Sequence, residues 1–210
     1  LEYPISGSLT AVIRGEEVTI TFSPDCDGGV SDTTTGPPLE TFTYSYGSPA
    51  NPASLNYITS TSNAEVAQEG DGWYWRPMVG AETLGETEPG VITYHFPFDG
   101  RIVGGRLNHQ MTTFHWSYSQ GHVYLFGSTD GSNWQLLSEV APPAHGEYRL
   151  GGWNGDLPEV FIGSTDMWLE VRLYSYGPRA AEGGVWCNTA QLSRWIDGVG
   201  NTFELEVDLE

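Results

Sequence analysis

The sequence predicts an all-β protein, an antiparallel β-sandwich of jelly-roll type, and three observations carry that reading. About a dozen short runs alternate apolar and polar residues. Turn signals (Asp-Gly, Gly-Ser, Gly-Gly and Pro) separate them roughly every 8–12 residues. The 27 Gly and 13 Pro, scattered along 210 residues, leave little room for long helices.

Taken in order, Ser8 to Ser23 reads as a hairpin: Leu9, Ala11 and Ile13 alternate, a turn falls at Gly15-Glu16, and Val18, Ile20 and Phe22 alternate again. Residues 24 to 38 are rich in Asp, Gly, Thr and Pro and read as a long loop. Strands are expected at Thr41–Tyr46, Leu55–Thr59 and Trp73–Val79, then an acidic loop over 80–90. Further strands are expected at Val91–Phe98, Arg101–Gln110, His122–Gly127, Gln135–Val140, Val160–Ile162, Met167–Ser175, Val185–Leu192 and Thr202–Leu209. No fixed-period repeat occurs, which excludes propellers and solenoids. Residues 1–210 read as one domain, with 1–38 a peripheral hairpin and loop.

Composition narrows the partners. Twenty-seven Asp and Glu stand against eight basic residues, all of them Arg, for a net charge of −19. Such a field repels phosphate backbones and anionic membranes, so neither nucleic acid nor membrane is an expected partner. No apolar stretch reaches the ~18 residues of a bilayer span. Cys26 and Cys187 are the only thiols; an even pair in an acidic, loop-rich chain suits a disulfide in an oxidising compartment, with two separate buried thiols as the alternative. The expected setting is secreted or cell-surface, as part of a larger protein. Absence of any Asn-x-Ser/Thr acceptor favours a bacterial source. No cofactor is expected beyond structural calcium, for which Asp25 and Asp27, spaced around Cys26 and followed by Gly28-Gly29, are the candidate ligands.

Alternation splits each strand into two faces. Ile92, Tyr94, Phe96 and Phe98 form one core face, Met167, Leu169, Val171 and Leu173 another, and Val123 with Leu125 a third. The opposite faces carry Trp168, Glu170, Arg172 and Tyr174; His122, Tyr124 and Phe126; and Arg106, Asn108 and Gln110. If these faces adjoin, they make a surface suited to sugars, where flat rings stack on pyranoses and planar polar groups pair with hydroxyls. Trp153, within Gly151-Gly152-Trp153-Asn154-Gly155, reads as an exposed loop aromatic. Trp73 and Trp75 share a side of their strand and could form a platform, and Trp116 lies in a long connection after His115.

From Leu125 to Val140 the sequence reads LFGSTDGSNWQLLSEV. This resembles the hallmark of galactose-binding-like sandwiches of the discoidin and coagulation-factor C-domain type, matched at Ser128, Asp130, Gly131, Asn133 and Trp134. Met167 to Leu173 and Thr202 to Leu209 are similar to later strands of those domains. The resemblance spans residues 90–210. It implies a tight turn with Trp134 packed into the core, and a carbohydrate-binding module attached to a secreted enzyme or adhesin.

The expected function is non-catalytic binding of a polysaccharide, neutral rather than acidic, over a wide surface. Stacking would come from Trp153, Trp73, Trp75, Trp168, Tyr174 and Trp116, and hydroxyl contacts from Arg172, Arg106, Asn108 and Gln110. A polysaccharide-cleaving enzyme on the same scaffold is the first alternative: Glu204 and Glu206 share a strand face, and a Tyr and a His could abstract a proton without a metal. A structural or adhesive domain with all its aromatics buried is the second. The five His form no His-x-His pair and no Gly-x-Ser-x-Gly elbow occurs, which argues against a cupin-type metal site and an esterase.

Overall fold

The structure is a computed structural model, and it describes residues 7–13, 16–22, 40–47, 56–69, 72–81, 83–86, 88–116, 119–177, 190–192 and 202–210. Strands β1 (Gly7–Ile13) and β2 (Glu16–Phe22) pair with each other as the expected hairpin. The other strands are β3 (Glu40–Gly47), β4 (Ile58–Ser62), β5 (Ala64–Glu69), β6 (Gly72–Pro77), β7 (Gly90–Pro97), β8 (Ile102–Trp116), β9 (Ser119–Ser128), β10 (Gln135–Val140), β11 (Tyr148–Asp156), β12 (Asp166–Tyr176), β13 (Ala190–Leu192) and β14 (Thr202–Leu209). Every pairing between them is antiparallel.

They form two layers. The first runs β4-β7-β12-β9-β10. The second is built on β8, with β11 along one side; the other side takes β14 and then β3 on its first half, and β13, β6 and β5 on its second. At its end β8 passes into the first layer, where His115 and Trp116 pair with Gln120 and Ser119.

The inward faces meet in one core. Ile92, Tyr94, Phe96, Val123, Leu125, Met167, Leu169, Val171 and Leu173 come from the first layer; Leu107, Met111, Phe203, Leu205 and Val207 come from the second. All are buried, as alternation predicts for strands with one covered face. A ring cluster closes one end: Phe42, Tyr44, Tyr57 and Phe203 surround Phe96, with centroids 4.6–6.4 Å away. His109 also points inward, fully buried, 4.7 Å from the Phe203 ring, and neither ring nitrogen meets a hydrogen-bond partner in another described residue.

Four local expectations are corrected. Gly151 to Asp156 is strand, not loop: β11 lies so close to β8 that a Cβ at Gly152 would stand 2.0 Å from the His109 carbonyl oxygen. Gly152 also has φ +130°, so glycine here is what lets the strand pair. β8 continues past Gln110 to Trp116, which removes the supposed long connection around His115-Trp116. Val160–Ile162 is not a strand; Pro158, at φ −54°, leads into a single 3-10 turn over Glu159–Phe161 that buries Phe161. Trp134 is half-buried ahead of the edge strand β10, outside the buried core.

Candidate functional site

The outer face of the first layer gathers the aromatic and charged residues of β12, β9 and β7 in adjacent columns. Register places Arg172 beside Tyr124 and Val91, Glu170 beside Phe126 and Thr93, Tyr174 beside His122, and Trp168 beside Ser128 and His95. The alternation of β12 and β9 that sends Leu173 and Leu125 inward sends these side chains outward.

Arg172 is the fixed point of the face. Its Nε and Nη2 each donate to Glu170 Oε1 at 2.6 Å, and its guanidinium carbon lies 4.2 Å from the Phe126 ring centroid. Glu170 is 13% exposed and Arg172 32%, so the carboxylate is the sheltered partner, and with the Phe126 ring it holds the guanidinium plane in one orientation. Next to it, Tyr174 stands edge-on to Tyr124, centroids 5.8 Å apart and planes at 87°. On its own strand Tyr124 stacks with His122 at 4.4 Å, and His122 Nε2 lies 2.6 Å from Glu139 Oε1 on β10.

A cavity of about 170 Å³ opens here, lined by Leu84, Gly85, Tyr124, Phe126, Arg172 and Tyr174. Leu84 and Gly85 are brought over the sheet by the chain after β6. Ala81 forms a parallel bridge with Tyr176: its N–H donates to the Ser175 carbonyl at 3.1 Å, and its carbonyl accepts from Gly177 at 2.9 Å. Burial pushes the Tyr124 and Tyr176 phenols above the ordinary value; the Glu139 carboxylate and the neighbouring tyrosines add to the effect at Tyr124. Both therefore keep their protons across the neutral range and can donate hydrogen bonds.

Trp168 lies on the same face but does not offer a flat ring. His95 stacks parallel to it, centroids 3.7 Å apart and planes 9° from parallel. The imidazole is held by Asp166, whose Oδ1 is 2.8 Å from His95 Nε2; that hydrogen bond is the main cause holding the Asp166 carboxyl below its usual range. Gly131 approaches the same indole: a Cβ there would meet its fused-ring carbons at 3.2–3.4 Å, with no His95 atom nearer. Since the imidazole fills one side, Gly131 covers the other. Asp130 shapes this turn by accepting from the Ser132 and Asn133 backbone N–H groups, both at 2.8 Å, and from Asn133 Nδ2 at 2.6 Å. Ser128 Oγ accepts from the Gly131 N–H at 3.1 Å.

The expected single surface is therefore corrected. Arg106, Asn108 and Gln110 belong to β8 and face outward from the second layer, on the far side of the core from Arg172. Arg106 lines a groove of about 350 Å³ with Asp156, Glu206 and Asp208, and with Asn108 a second of about 430 Å³ with Asn154, Glu204 and Glu206. Glu204 and Glu206 do share an exposed face there, and Asn108 Nδ2 donates to Glu204 Oε2 at 3.0 Å.

Other candidates separate likewise. Trp75 is 6% exposed and part of the core, so it cannot join Trp73, which is half-buried, in a platform. Trp153 is no loop residue: it sits opposite His109, packs against the core and donates Nε1–H to the Asp156 carbonyl at 2.9 Å. Trp116 ends β8, with its side chain outside the described residues, as are Asp25, Asp27, Cys26 and Cys187. Among the described residues no group of three or more His, Cys, Asp or Glu is placed to hold a metal ion.

The sequence reading assigned no site role to Tyr124, Phe126, Glu170 or Leu84. The first three were visible as outward-facing neighbours of Arg172. Leu84 carried no signal, because a leucine in an acidic loop reads as neither core nor site.

No protein-family model matches the chain, and no curated protein matches it. Among solved structures, it is similar to a variant of a family 29 carbohydrate-binding module complexed with mannohexaose, at 11% identity and TM-score 0.40, covering 80% of this chain and 92% of that one. Another family 29 carbohydrate-binding module matches at 12% identity and TM-score 0.39, covering 80% and 89%. A further variant, complexed with cellulohexaose, matches at 12% and 0.39, covering 79% and 91%. Likenesses this distant leave the site to be judged on this chain's own side chains.

Proposed function

We propose that this chain is a non-catalytic carbohydrate-binding module on a galactose-binding-like β-sandwich, and that it binds neutral polysaccharide at the cavity around Arg172. One observation carries the reading: a cavity with aromatic walls holds a guanidinium already fixed by Glu170 and Phe126. Aromatic rings match the apolar C–H faces of a pyranose, and a guanidinium fixed in advance pairs with hydroxyls without first losing rotamer freedom. Among the described residues the cavity lining contains no carboxylate, and adjacent Glu170 is committed to Arg172, so they supply no acid–base pair of the glycoside-hydrolase kind at this place. Secretion, attachment to a larger protein and structural calcium belong to the same proposal.

Affinity electrophoresis through gels holding neutral or acidic polysaccharides tests it. Retardation by a neutral polysaccharide is expected, unchanged by chelator at this site and lost in Arg172→Ala. Release of reducing ends on incubation would favour the hydrolase reading and direct attention to Glu204 and Glu206. Absence of both retardation and cleavage would leave the structural or adhesive reading.

A further inference from the structure

The carbohydrate reading leaves open how much of a glycan the site grasps, and on that reading we infer that it takes one neutral hexose ring, presented as a chain terminus or pendant branch, and not a run of main chain. The cavity volume is the first reason. About 170 Å³ is roughly half the lower limit of pockets that enclose drug-sized ligands, and it suits a single six-membered ring.

The second reason is which flat surfaces remain open. A main chain lying across a sheet needs a row of uncovered rings, one for every one or two sugars. Here Trp168 is covered by His95 and by the Gly131 turn. Phe126 carries the Arg172 guanidinium, and Tyr124 is stacked with His122. Among the described residues that line the cavity, what remains is the corner between Tyr174 and the side of Tyr124 away from His122, whose planes meet at 87°, with Leu84 and Gly85 as a wall beside it. A corner receives one ring; a row receives a chain.

Charge supplies the preference for a neutral ring. The nearest cation is neutralised by Glu170 at 2.6 Å, and the chain as a whole carries −19. A uronate would enter against that field with no free positive partner at the cavity among the described residues.

Calorimetric titration of the whole chain with gluco-, manno-, xylo- and galacto-oligosaccharides of one to six units tests the inference. In the best series, affinity is expected to rise by less than about threefold from two units to six, because added units find no contacts. A rise of tenfold or more across that range would overturn the single-ring inference and leave the carbohydrate reading standing. Failure of every oligosaccharide and every polysaccharide to bind would overturn both. Leu84→Ala, which removes a wall without touching the Arg172 pair, is expected to weaken the single sugar several-fold; unchanged affinity would count against a walled subsite.

Discussion

His95 lies flat on Trp168, ring centroids 3.7 Å apart, while Gly131 presses on the other side of the same indole. A hallmark turn and a strand aromatic that look unrelated in the sequence are thus one packing unit on the outer face of the first layer, and its parts respond to substitution together.

Gly131→Ala tests the unit most directly. The residue has φ +67° and its Cβ would touch the indole at 3.2 Å, so strain and crowding add. A loss of about 1–2 kcal/mol is expected from urea unfolding, with a shifted tryptophan emission reporting the displaced ring.

Asp130 supplies a pH test. Hydrogen bonds from Asn133 and Ser132 hold its carboxyl well below the ordinary value of 3.8. A depressed folded-state pKa gives stability that is present above the unfolded value and lost as pH falls through the folded one. Asp130→Asn is therefore expected to melt lower than the parent at neutral pH, with the gap closing below about pH 4. A gap constant from pH 7 to pH 3 would show that the carboxylate charge is not what orders the turn.

His109 acts over a different window. Burial lowers its pKa from 6.5 to about 4, so the unfolded chain binds a proton there that the folded chain refuses. Its contribution to stability is complete above pH 6.5 and is lost as pH falls toward 4, about 2 kcal/mol between pH 7 and pH 5. His109→Leu, similar in bulk and without polar atoms, is expected to flatten the profile over that range in chemical-denaturation measurements.

Arg172→Lys separates charge from shape at the cavity. Lysine keeps the positive charge but neither forms the two-nitrogen contact with Glu170 nor lies flat on Phe126. Sugar affinity is expected to fall by about tenfold or more, with a melting shift no greater than about 4 °C, the effect of roughly 1 kcal/mol in a domain of this size.

How much of this was legible follows the alternation. β14 matches the sequence reading residue for residue, and β7 and β12 within about one, because their apolar residues alternate; β10 matches too, though it does not alternate and carries a bulge between Leu136 and Ser138. β8 was cut short after Gln110 because Thr112 and Thr113, both fully buried, do not read as core. β11 was hidden by glycines that the pairing itself requires, and β5 by its polarity at a sheet edge. The outward aromatics of β12 and β9 were found, but not that the outward set of β8 lies on the opposite side of the protein. Alternation gives a strand its faces; only pairing says which layer it joins.

β14 is the middle strand of its part of the second layer, between β3 and β8, yet it follows both by a long stretch of chain. While this protein is being made, β8 lacks a neighbour on that side and β3 lacks the strand that ties it to the sheet. Roughly 90 residues separate the end of β8 from the start of β14, on the order of ten seconds of translation. For that interval both edges lack their partner and the seats of Phe203, Leu205 and Val207 stand open. The nascent chain, more than the finished protein, is where proteases and stray strands would find a target.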